Sequence, residues 1–483
     1  MIDPTIASTN IPEVQAKDLC NLKCAPSVPF RIICADGKAI ALTHVLRFLP
    51  GKRIVGEAEC EGQRVLAKLF VAEHGQRHWM REKQGLEFLH ARGIATPEVL
   101  FAGKLQGTGF VLLSEFLQDA CTLAERWESL GAVRVDEPRA LNVLQPALAL
   151  LGRLHAAGLI QSDLHLGNFL VCREKLFVID GDGINTMADD TKRSEQQAMD
   201  NLGLLITQLP LVWETRLDTL LDAYQSEQER FRPDMDSVQQ AVERARKKRL
   251  THFLSKTLRD CSQFAVRKTA RQFSVVLRNE QGNLSTLLDN PDHAIEQGQI
   301  LKDGGTCTVV RVEVAGRPLV IKRYNIKNFR HAVSRFWRPS RAWHSWLAGQ
   351  RLAFYGIATP MPLAMLEERF VLLRQRAFLV TEFCPGQNLL KHLLPDREPD
   401  EREATAIIEF FQTLFRLRIS HGDMKATNFL WHSRQLFLID LDAMIAHRNH
   451  AIFVRHWRRD RERFLRNWPE QSVLHRWLKT NLP

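Results

Sequence analysis

Long apolar runs are missing from this 483-residue sequence, and without a stretch of about 18 apolar residues no segment is expected to span a bilayer. The first residues, MIDPTIASTNIPEVQ, lack the basic start and apolar centre of a signal peptide, which predicts a cytoplasmic protein. The nine cysteines are odd in number and lack paired spacing, which predicts reduced thiols without a zinc site. Hydrophobic residues make up 45% of the chain, enough for roughly two to four folded domains.

Acidic residues are too few to balance the basic ones, and the formal charge of +11 predicts an anionic partner. Nucleic acid is not expected, because no zinc finger, helix-turn-helix or stacking-sheet motif accompanies the charge. Phospholipid headgroups and phosphorylated substrates remain. The basic stretches that could meet them are 323–343, 455–468 and, more ambiguously, RARKKR at 244–249. The stretch 455–468 could form a helix that lies on anionic lipid, but its pattern slightly favours a solvated helix packed on its own domain.

An internal repeat organises the chain. The segment GIATP occurs at 93–97 and again at 356–360, each time after a probable helix. An apolar strand ending in an acidic residue follows in both copies, with Glu115 in the first and Glu382 in the second. Upstream, RVLAKLF and RPLVIKRY alternate apolar residues as strands do, and each carries one lysine, Lys68 or Lys322.

Each copy also contains a motif of Asp, Asn and Asp with gaps of five and twelve residues. Phosphoryl transfer from Mg-ATP requires such a set, because one Asp orients the attacking hydroxyl and accepts its proton while Asn and the second Asp hold Mg²⁺ with oxygen ligands. The upstream lysine would then clamp the α- and β-phosphates of ATP. The residues of the two motifs are Asp163, Asn168 and Asp180, and Asp423, Asn428 and Asp440.

The segments SDLHLGNFL with VIDGDG and HGDMKATNFL with LIDLDA resemble the catalytic loop and metal-binding Asp of the protein-kinase-like superfamily. The closest resemblance is to the bacterial lipopolysaccharide kinase family, the Kdo-kinase, WaaP-like and InaA-type group. VIKRYNIKNFRH, RPSRAWHSW and LVTEFCPGQNLL in the second copy are typical of that group. The resemblance implies an α+β fold of two tandem protein-kinase-like bilobal domains, each with a small β-rich N-lobe and a mainly helical C-lobe.

For the first copy the resemblance implies Lys68 as phosphate clamp, Glu82 as its helix partner, Asp163 as catalytic base, and Asn168 and Asp180 as metal ligands. Gln161 and Ser162 stand where the family usually has His-Gly, which puts the support of the loop in question.

For the second copy the resemblance implies Lys322 as clamp, Asp423 as base, Lys425 as a contact to the transferring phosphate, and Asn428 and Asp440 as metal ligands. Alignment on GIATP places Ser345 opposite Glu82. Either another acid holds Lys322, or this copy binds nucleotide differently.

The glycine-rich loops are weak, but glycines precede each clamp lysine at the expected place: Gly51 in the first copy, and Gly304 and Gly305 in the second. Glu115 and Glu382 are expected at the strand that joins the lobes and meets adenine. The domain boundaries follow as an N-terminal extension over 1–28, a first domain over 29–230, a helical basic connection over 231–288 and a second domain over 289–483.

These features predict an ATP- and Mg²⁺-dependent kinase that phosphorylates a sugar hydroxyl, heptose or Kdo, of the lipopolysaccharide core. The location expected from this reading is the cytoplasm, with peripheral contact to the anionic inner membrane. The 43 residues after Asp440 are too few for the lobe with which typical protein kinases hold peptides, which favours a glycan acceptor. Two alternatives stay open: a compact, RIO-like protein Ser/Thr kinase and a non-catalytic pseudokinase scaffold.

Overall fold

The computed structural model describes residues 11–483 except 132–134, 136, 228–230, 326–338 and 371–372. The chain divides into two compact units, residues 1–247 (unit 1) and 248–483 (unit 2). Helices and strands are mixed in both, which confirms the predicted α+β class.

Unit 1 begins with an antiparallel sheet of six strands in the order β1-β2-β3-β4-β6-β5. Alternate side chains of β3 and β4 are buried, as their apolar alternation predicts. The strands and the helices around them are α1 (Ala16–Asn21), β1 (Phe30–Ile33), β2 (Ala39–Leu49), β3 (Arg53–Cys60), β4 (Gln63–Phe70), α2 (Gly75–Ala91), β5 (Val99–Lys104) and β6 (Phe110–Glu115).

The predicted N-terminal extension is not separate from this sheet. Ala16 and Leu19 of α1 are buried in its core, and Glu13 forms a β-bridge with Arg31 of β1. The described part of the extension, from residue 11 onward, is therefore part of the first unit, because Ala16 and Leu19 help to complete that core.

The rest of unit 1 is mainly helical, with short strand pairs that carry the loop motif. Its elements are β7 (Cys121–Thr122), α3 (Leu123–Ser129), α4 (Pro138–Ala156), β8 (Leu159–Gln161), β9 (Phe169–Cys172), β10 (Lys175–Val178), β11 (Ile184–Thr186), α5 (Thr191–Ile206), α6 (Leu217–Gln225) and α7 (Met235–Lys256), within which the boundary between the units falls.

Unit 2 contains a sheet of seven strands in the order β12-β13-β17-β18-β16-β15-β14. Its elements are β12 (Phe264–Lys268), β13 (Gln272–Leu277), α8 (Ser285–Asp289), α9 (Pro291–Gln297), β14 (Gln299–Gly304), β15 (Cys307–Val314), β16 (Arg317–Tyr324), α10 (Arg341–Phe354), β17 (Pro362–Phe370) and β18 (Leu373–Glu382).

The interpretation of residues 231–288 as a helical connection is wrong for β12 and β13. Phe273 and Val275 of β13 are buried, and β13 pairs with β17 from Gln272↔Glu368 to Val276↔Ala364. The alternating apolar residues of this hairpin complete the sheet of unit 2, whereas only α7 matches the predicted basic helix.

After its sheet, unit 2 continues with the same kind of helices and short strand pairs as unit 1. They are β19 (Gln387–Asn388), α11 (Leu389–His392), α12 (Glu401–Arg416), β20 (Ile419–Ser420), β21 (Phe429–His432), β22 (Gln435–Leu438), β23 (Ile445–Ala446), α13 (His450–Leu465) and α14 (Val473–Asn481).

A set of five strands has the same order in both sheets: β2-β3-β4-β6-β5 in unit 1 and β14-β15-β16-β18-β17 in unit 2. Unit 1 adds β1 beyond one end of this set, and unit 2 adds β13 and β12 beyond the other. The clamp lysines lie on the middle strand of each set, with Lys68 on β4 and Lys322 on β16.

Candidate active sites

The loop of unit 1 that carries Asp163 is shaped by hydrogen bonds within the motif itself. The Asn168 side chain donates from Nδ2 to the Asp163 carbonyl at 2.7 Å, and the Ile179 amide donates to the Asn168 carbonyl at 2.9 Å. Asp180, the next residue, has a left-handed backbone with φ 73°. Asp163, Asn168 and Asp180 are therefore brought together, as the motif predicts.

The loop of unit 2 repeats this arrangement. Asn428 Nδ2 donates to the Asp423 carbonyl at 2.8 Å, the Ile439 amide donates to the Asn428 carbonyl at 2.9 Å, and Asp440 has φ 59°. Cations flank the Asp423 carboxylate here: Lys425 Nζ lies 3.2 Å from Oδ2 and Arg463 Nη1 lies 3.1 Å from Oδ1.

The clamp lysine of unit 1 has the predicted helix partner. Lys68 forms an ion pair with Glu82, a fully buried residue of α2 that also accepts hydrogen bonds from the amides of Gly181 at 3.2 Å and Asp182 at 3.1 Å. Burial alone would raise the pKa of Glu82, but the Lys68 charge and the hydrogen bonds with Lys68, Asp180 and the Asp182 amide together outweigh burial and lower the pKa to about 2. Burial and the Glu82 charge raise the pKa of Asp180.

Helix α2 approaches the segment after Asp180 so closely that two glycines are required. A Cβ on Gly85 would lie 1.9 Å from the Gly181 carbonyl oxygen, and a Cβ on Gly181 would lie 2.1 Å from the Glu82 carbonyl oxygen. This approach lets the two amides after Asp180 reach the Glu82 carboxylate.

The clamp lysine of unit 2 is held by acids that follow the loop instead of by a helix acid. Lys322 Nζ lies 2.5 Å from Asp440 Oδ1 and 2.9 Å from Asp442 Oδ2. Ser345 of α10 donates its hydroxyl to Asp442 at 2.7 Å and accepts from the Tyr324 hydroxyl at 3.3 Å. The first of the two alternatives left by the sequence therefore applies: another acid holds Lys322.

Asp442 is the centre of a polar network that sequence reasoning missed. Besides Lys322 it accepts from the Tyr324 hydroxyl at 2.7 Å and from Arg341 Nη2 at 2.5 Å. Burial alone would raise the pKa of Asp442, but the Lys322 charge and the hydrogen bonds from Lys322, Tyr324 and Ser345 together lower it to about 2. The second Asp in LIDLDA was the available signal, since the matching Asp182 in VIDGDG marks a repeated position.

The residue before each loop has the same task in both units despite its different identity. Gln161 Nε2 donates to the Ile179 carbonyl at 3.2 Å, and His421 Nε2 lies 3.0 Å from the Ile439 carbonyl. Gln161 thus supplies the loop support that the departure from His-Gly put in question.

Helix residues that the sequence analysis did not single out anchor these loops. In unit 2 the buried Asp460 of α13 accepts from the His421 amide at 2.6 Å and the Gly422 amide at 3.0 Å. In unit 1 the Asn201 amide group of α5 donates to the Gln161 carbonyl at 2.7 Å, and its Oδ1 lies 3.2 Å from His155 Nε2.

Tyr224 completes the unit 1 network, with its hydroxyl 2.7 Å from His155 Nδ1. Burial lowers the pKa of His155 to about 4, so the ring is neutral at pH 7.

The oxygen donors fit magnesium. Because Asn168 and Asn428 use Nδ2 to fix the loop, their Oδ1 atoms are left as hard ligands beside the carboxylates of Asp180 and Asp440. Within the part of the chain that the structure describes, no three His, Cys, Asp or Glu side chains form a metal-holding cluster on their own. Phosphate oxygens and water would have to complete the coordination, as is usual for Mg²⁺ bound with a nucleotide.

The predicted glycines lie in turns between strands, and the two predicted acids lie at strand ends. Gly51 is in the β2–β3 turn with φ 65°, and Gly304 and Gly305 are at the β14–β15 turn. Glu115 ends β6 and Glu382 ends β18, strands that pair with β4 and β16, respectively. Their contact with a nucleotide stays a prediction.

Part of this chain is similar to one family of known proteins. Residues 294–471 match the model of the Lipopolysaccharide kinase (Kdo/WaaP) family. The match implies a phosphotransferase with a hydroxyl acceptor and covers Lys322, Asp423, Asn428 and Asp440. No curated protein sequence matches the chain.

Solved structures of kinases are among those similar to this chain. WaaP in complex with acyl carrier protein is 21% identical, covering 43% of this chain and 89% of its own, with a TM-score of 0.32. The kinase domain of PknI from M. tuberculosis is 14% identical, covering 46% and 99%, with a TM-score of 0.30. Vaccinia related kinase 3 is 14% identical, covering 48% and 79%, with a TM-score of 0.27.

None of the helices in the described ranges is long and apolar enough to cross a membrane. Of the predicted basic stretches, 455–468 lies largely on α13, where Arg455, Arg458, Arg459 and Arg463 are exposed. The stretch 244–249 lies on α7. Most of 323–343 lies outside the described residues, since 326–338 are not described.

Proposed function

We propose that this chain is an ATP- and Mg²⁺-dependent kinase that phosphorylates a sugar hydroxyl, heptose or Kdo, of the lipopolysaccharide core. The observation that carries the proposal is the Asp423–Asn428–Asp440 loop, arranged opposite the paired lysine Lys322, inside the segment that matches the lipopolysaccharide kinase family. The same set in unit 1 supports two tandem kinase-like domains.

The residues of unit 2 divide the chemistry among them. Lys322 binds the α- and β-phosphates of ATP, while Asp423 orients the acceptor hydroxyl and takes its proton. Asn428 and Asp440 would hold Mg²⁺, and the bound ion would supply positive charge that neutralises the phosphates. Lys425 contacts the phosphate in transfer, and the β14–β15 turn with Gly304 and Gly305 covers the nucleotide.

The surroundings of Asp423 support an anionic acceptor. Lys425 and Arg463 are both exposed and both contact the Asp423 carboxylate, so two cations border the place where the acceptor hydroxyl must lie. A phosphorylated core saccharide carries charge that these cations can bind. The exposed arginines of α13 continue this basic surface and support peripheral contact with an anionic membrane from the cytoplasm.

The test is transfer of label from γ-labelled ATP with Mg²⁺ to isolated lipopolysaccharide core. Asp423→Ala is expected to lower transfer about 10³-fold, since base and orientation are lost together. Asp163→Ala is expected to leave most of the transfer intact, and Asp218→Ala, an exposed residue on α6, serves as the matched surface control.

The alternatives give different results in the same assay. Label that enters a protein and not the core would establish a protein kinase. Confirmed Mg-ATP binding without transfer to any acceptor by the wild type would establish a scaffold. Loss with Asp163→Ala alone would move the chemistry to unit 1.

A further inference from the structure

The acid that pairs with the clamp lysine lies on a different structural element in each unit. In unit 1 the acid is Glu82 on helix α2, whereas the matching position on α10 of unit 2 is Ser345. The acids facing Lys322 are both in the segment after the loop, at 2.5 Å for Asp440 and 2.9 Å for Asp442.

The two units also differ at the residue that follows Asp180 in unit 1 and Asp440 in unit 2. Gly181 follows the metal-ligand position in unit 1, and a Cβ there would lie 2.1 Å from the Glu82 carbonyl oxygen. Leu441 occupies this position in unit 2, so α10 cannot make the same approach. The space beside the lysine is filled by the Asp442 side chain.

Hydrogen-bond donors from two elements hold the Asp442 carboxylate in position. Tyr324 of β16 donates at 2.7 Å, and Ser345 and Arg341 of α10 donate at 2.7 Å and 2.5 Å. Its side chain is only 9% exposed. A buried carboxylate fixed by three other donors is a rigid partner for an ammonium group.

The matching residue in unit 1, Asp182, does not have this role. Asp182 lies 3.0 Å from Arg81 Nε and 2.9 Å from His78 Nδ1, both on α2, and Lys68 pairs with Glu82 instead. His78 and Arg341 are at matching helix positions, so both aspartates tie the helix to the loop. Of these two aspartates, only Asp442 also forms an ion pair with the clamp lysine of its unit.

We propose that Asp442 is the positioning residue of unit 2, which replaces the helix glutamate and holds Lys322 in place for the phosphates of ATP. The inference rests on the proposed function, in which Asp440 would serve as a ligand of Mg²⁺. Lys322 then keeps Asp442 as its carboxylate partner, just as Lys68 keeps Glu82.

The experiment measures Mg-ATP and adenosine binding by titration calorimetry on the full-length chain with Lys68→Ala, which removes the unit 1 clamp. Asp442→Asn, an isosteric change, is expected to weaken Mg-ATP binding at least about tenfold and to leave adenosine binding unchanged, because only the phosphates need the lysine. Lys322→Ala should give a similar loss, and the double variant should lose little more than either single one.

Asp182→Asn is the matched control, since it removes the corresponding carboxylate without touching a clamp lysine. Equal effects of Asp442→Asn and Asp182→Asn would overturn the inference, as would a parallel loss of adenosine binding or strictly additive losses with Lys322→Ala. If Asp442→Asn does not fold, Tyr324→Phe removes one donor to Asp442 and keeps both charges. It should weaken Mg-ATP binding about threefold, and unchanged binding would overturn the inference.

Failure of the proposed function gives a separate result. A wild-type chain without any Mg-ATP binding contradicts both proposals. Binding that depends on Lys322 but not on Asp442 contradicts the positioning role alone.

Discussion

The two units of this chain bring a lysine and a carboxylate together on the same strand framework by different routes. In unit 1 the carboxylate comes from helix α2, and the glycines Gly85 and Gly181 permit the close approach that it needs. In unit 2 the carboxylate comes from Asp442, two residues after the metal-ligand position. The comparison teaches that the site requires a buried acid within reach of the lysine, and that either neighbouring element can supply it.

The loop anchors differ in the same manner. Unit 1 uses a neutral network of Asn201, His155 and Tyr224, whereas unit 2 uses the carboxylate of Asp460. In both cases the anchored group is the backbone just before the first Asp of the loop motif, so a neighbouring helix fixes the position of that Asp.

Among the variants that compare the two units, Glu82→Gln is expected to cause the largest loss of stability. The change leaves Lys68 buried without its counter-charge, so the free energy of unfolding of unit 1 should fall by about 3–5 kcal/mol. Ser345→Ala at the matching position removes one neutral donor and should cost about 1 kcal/mol. Hydrogen–deuterium exchange of α2 and α10 peptides in the full chain measures both, and equal losses would break the comparison.

The close approach of α2 is tested by Gly181→Ala. The added Cβ would meet the Glu82 carbonyl and push the helix away, at a cost of about 2–3 kcal/mol. Leu441→Ala in unit 2 leaves a cavity at the matching position, because Leu441 is buried, but it adds no backbone clash and should leave the exchange of the adjacent amides unchanged. Thermal unfolding of the two variants and exchange at the amides of Gly181 and Asp182 would show the difference; a Gly181→Ala protein with wild-type exchange at these amides contradicts it.

The sequence was sufficient for the parts of the site that repeat at constant spacing. The Asp–Asn–Asp loops and the strand lysines lie together because each is defined by local structure: a short loop between strands and an alternating strand. Asp442 and Asp460 were not foreseen, since their partners come from helices and strands distant in sequence. The repeat of Asp182 at Asp442 marks the position of Asp442 but not its partner, and no repeated pattern marks Asp460. The hairpin of β12 and β13 was also missed, because its basic flanks resemble the helix before it.

A medium effect is expected on lowering the pH. His155 has a free pKa of 6.5 and a folded pKa of about 4, so between these values the unfolded chain binds a proton that the folded chain does not. The stability of unit 1 should therefore fall as the pH drops, by about 2 kcal/mol at pH 5. Exchange of the β8 amides at pH 7 and pH 5 measures this loss. His155→Gln should remove that part of the pH dependence, and an unchanged dependence would show that His155 is not its source.

The smallest change in the free energy of unfolding is expected when Gln161 is replaced by His, the residue type that supports the loop of unit 2. Gln161→His places the residue of unit 2 in unit 1, and because His421 contacts the Ile439 carbonyl as Gln161 contacts that of Ile179, the exchange should cost less than about 0.5 kcal/mol. Gln161→Leu leaves the Ile179 carbonyl without its side-chain donor and should cost about 1–2 kcal/mol. Chemical unfolding of both variants gives the two values. If Gln161→His lowers the free energy of unfolding as much as Gln161→Leu does, the two units support their loops by different contacts. Gln161 and His421 would then match in sequence position but not in function.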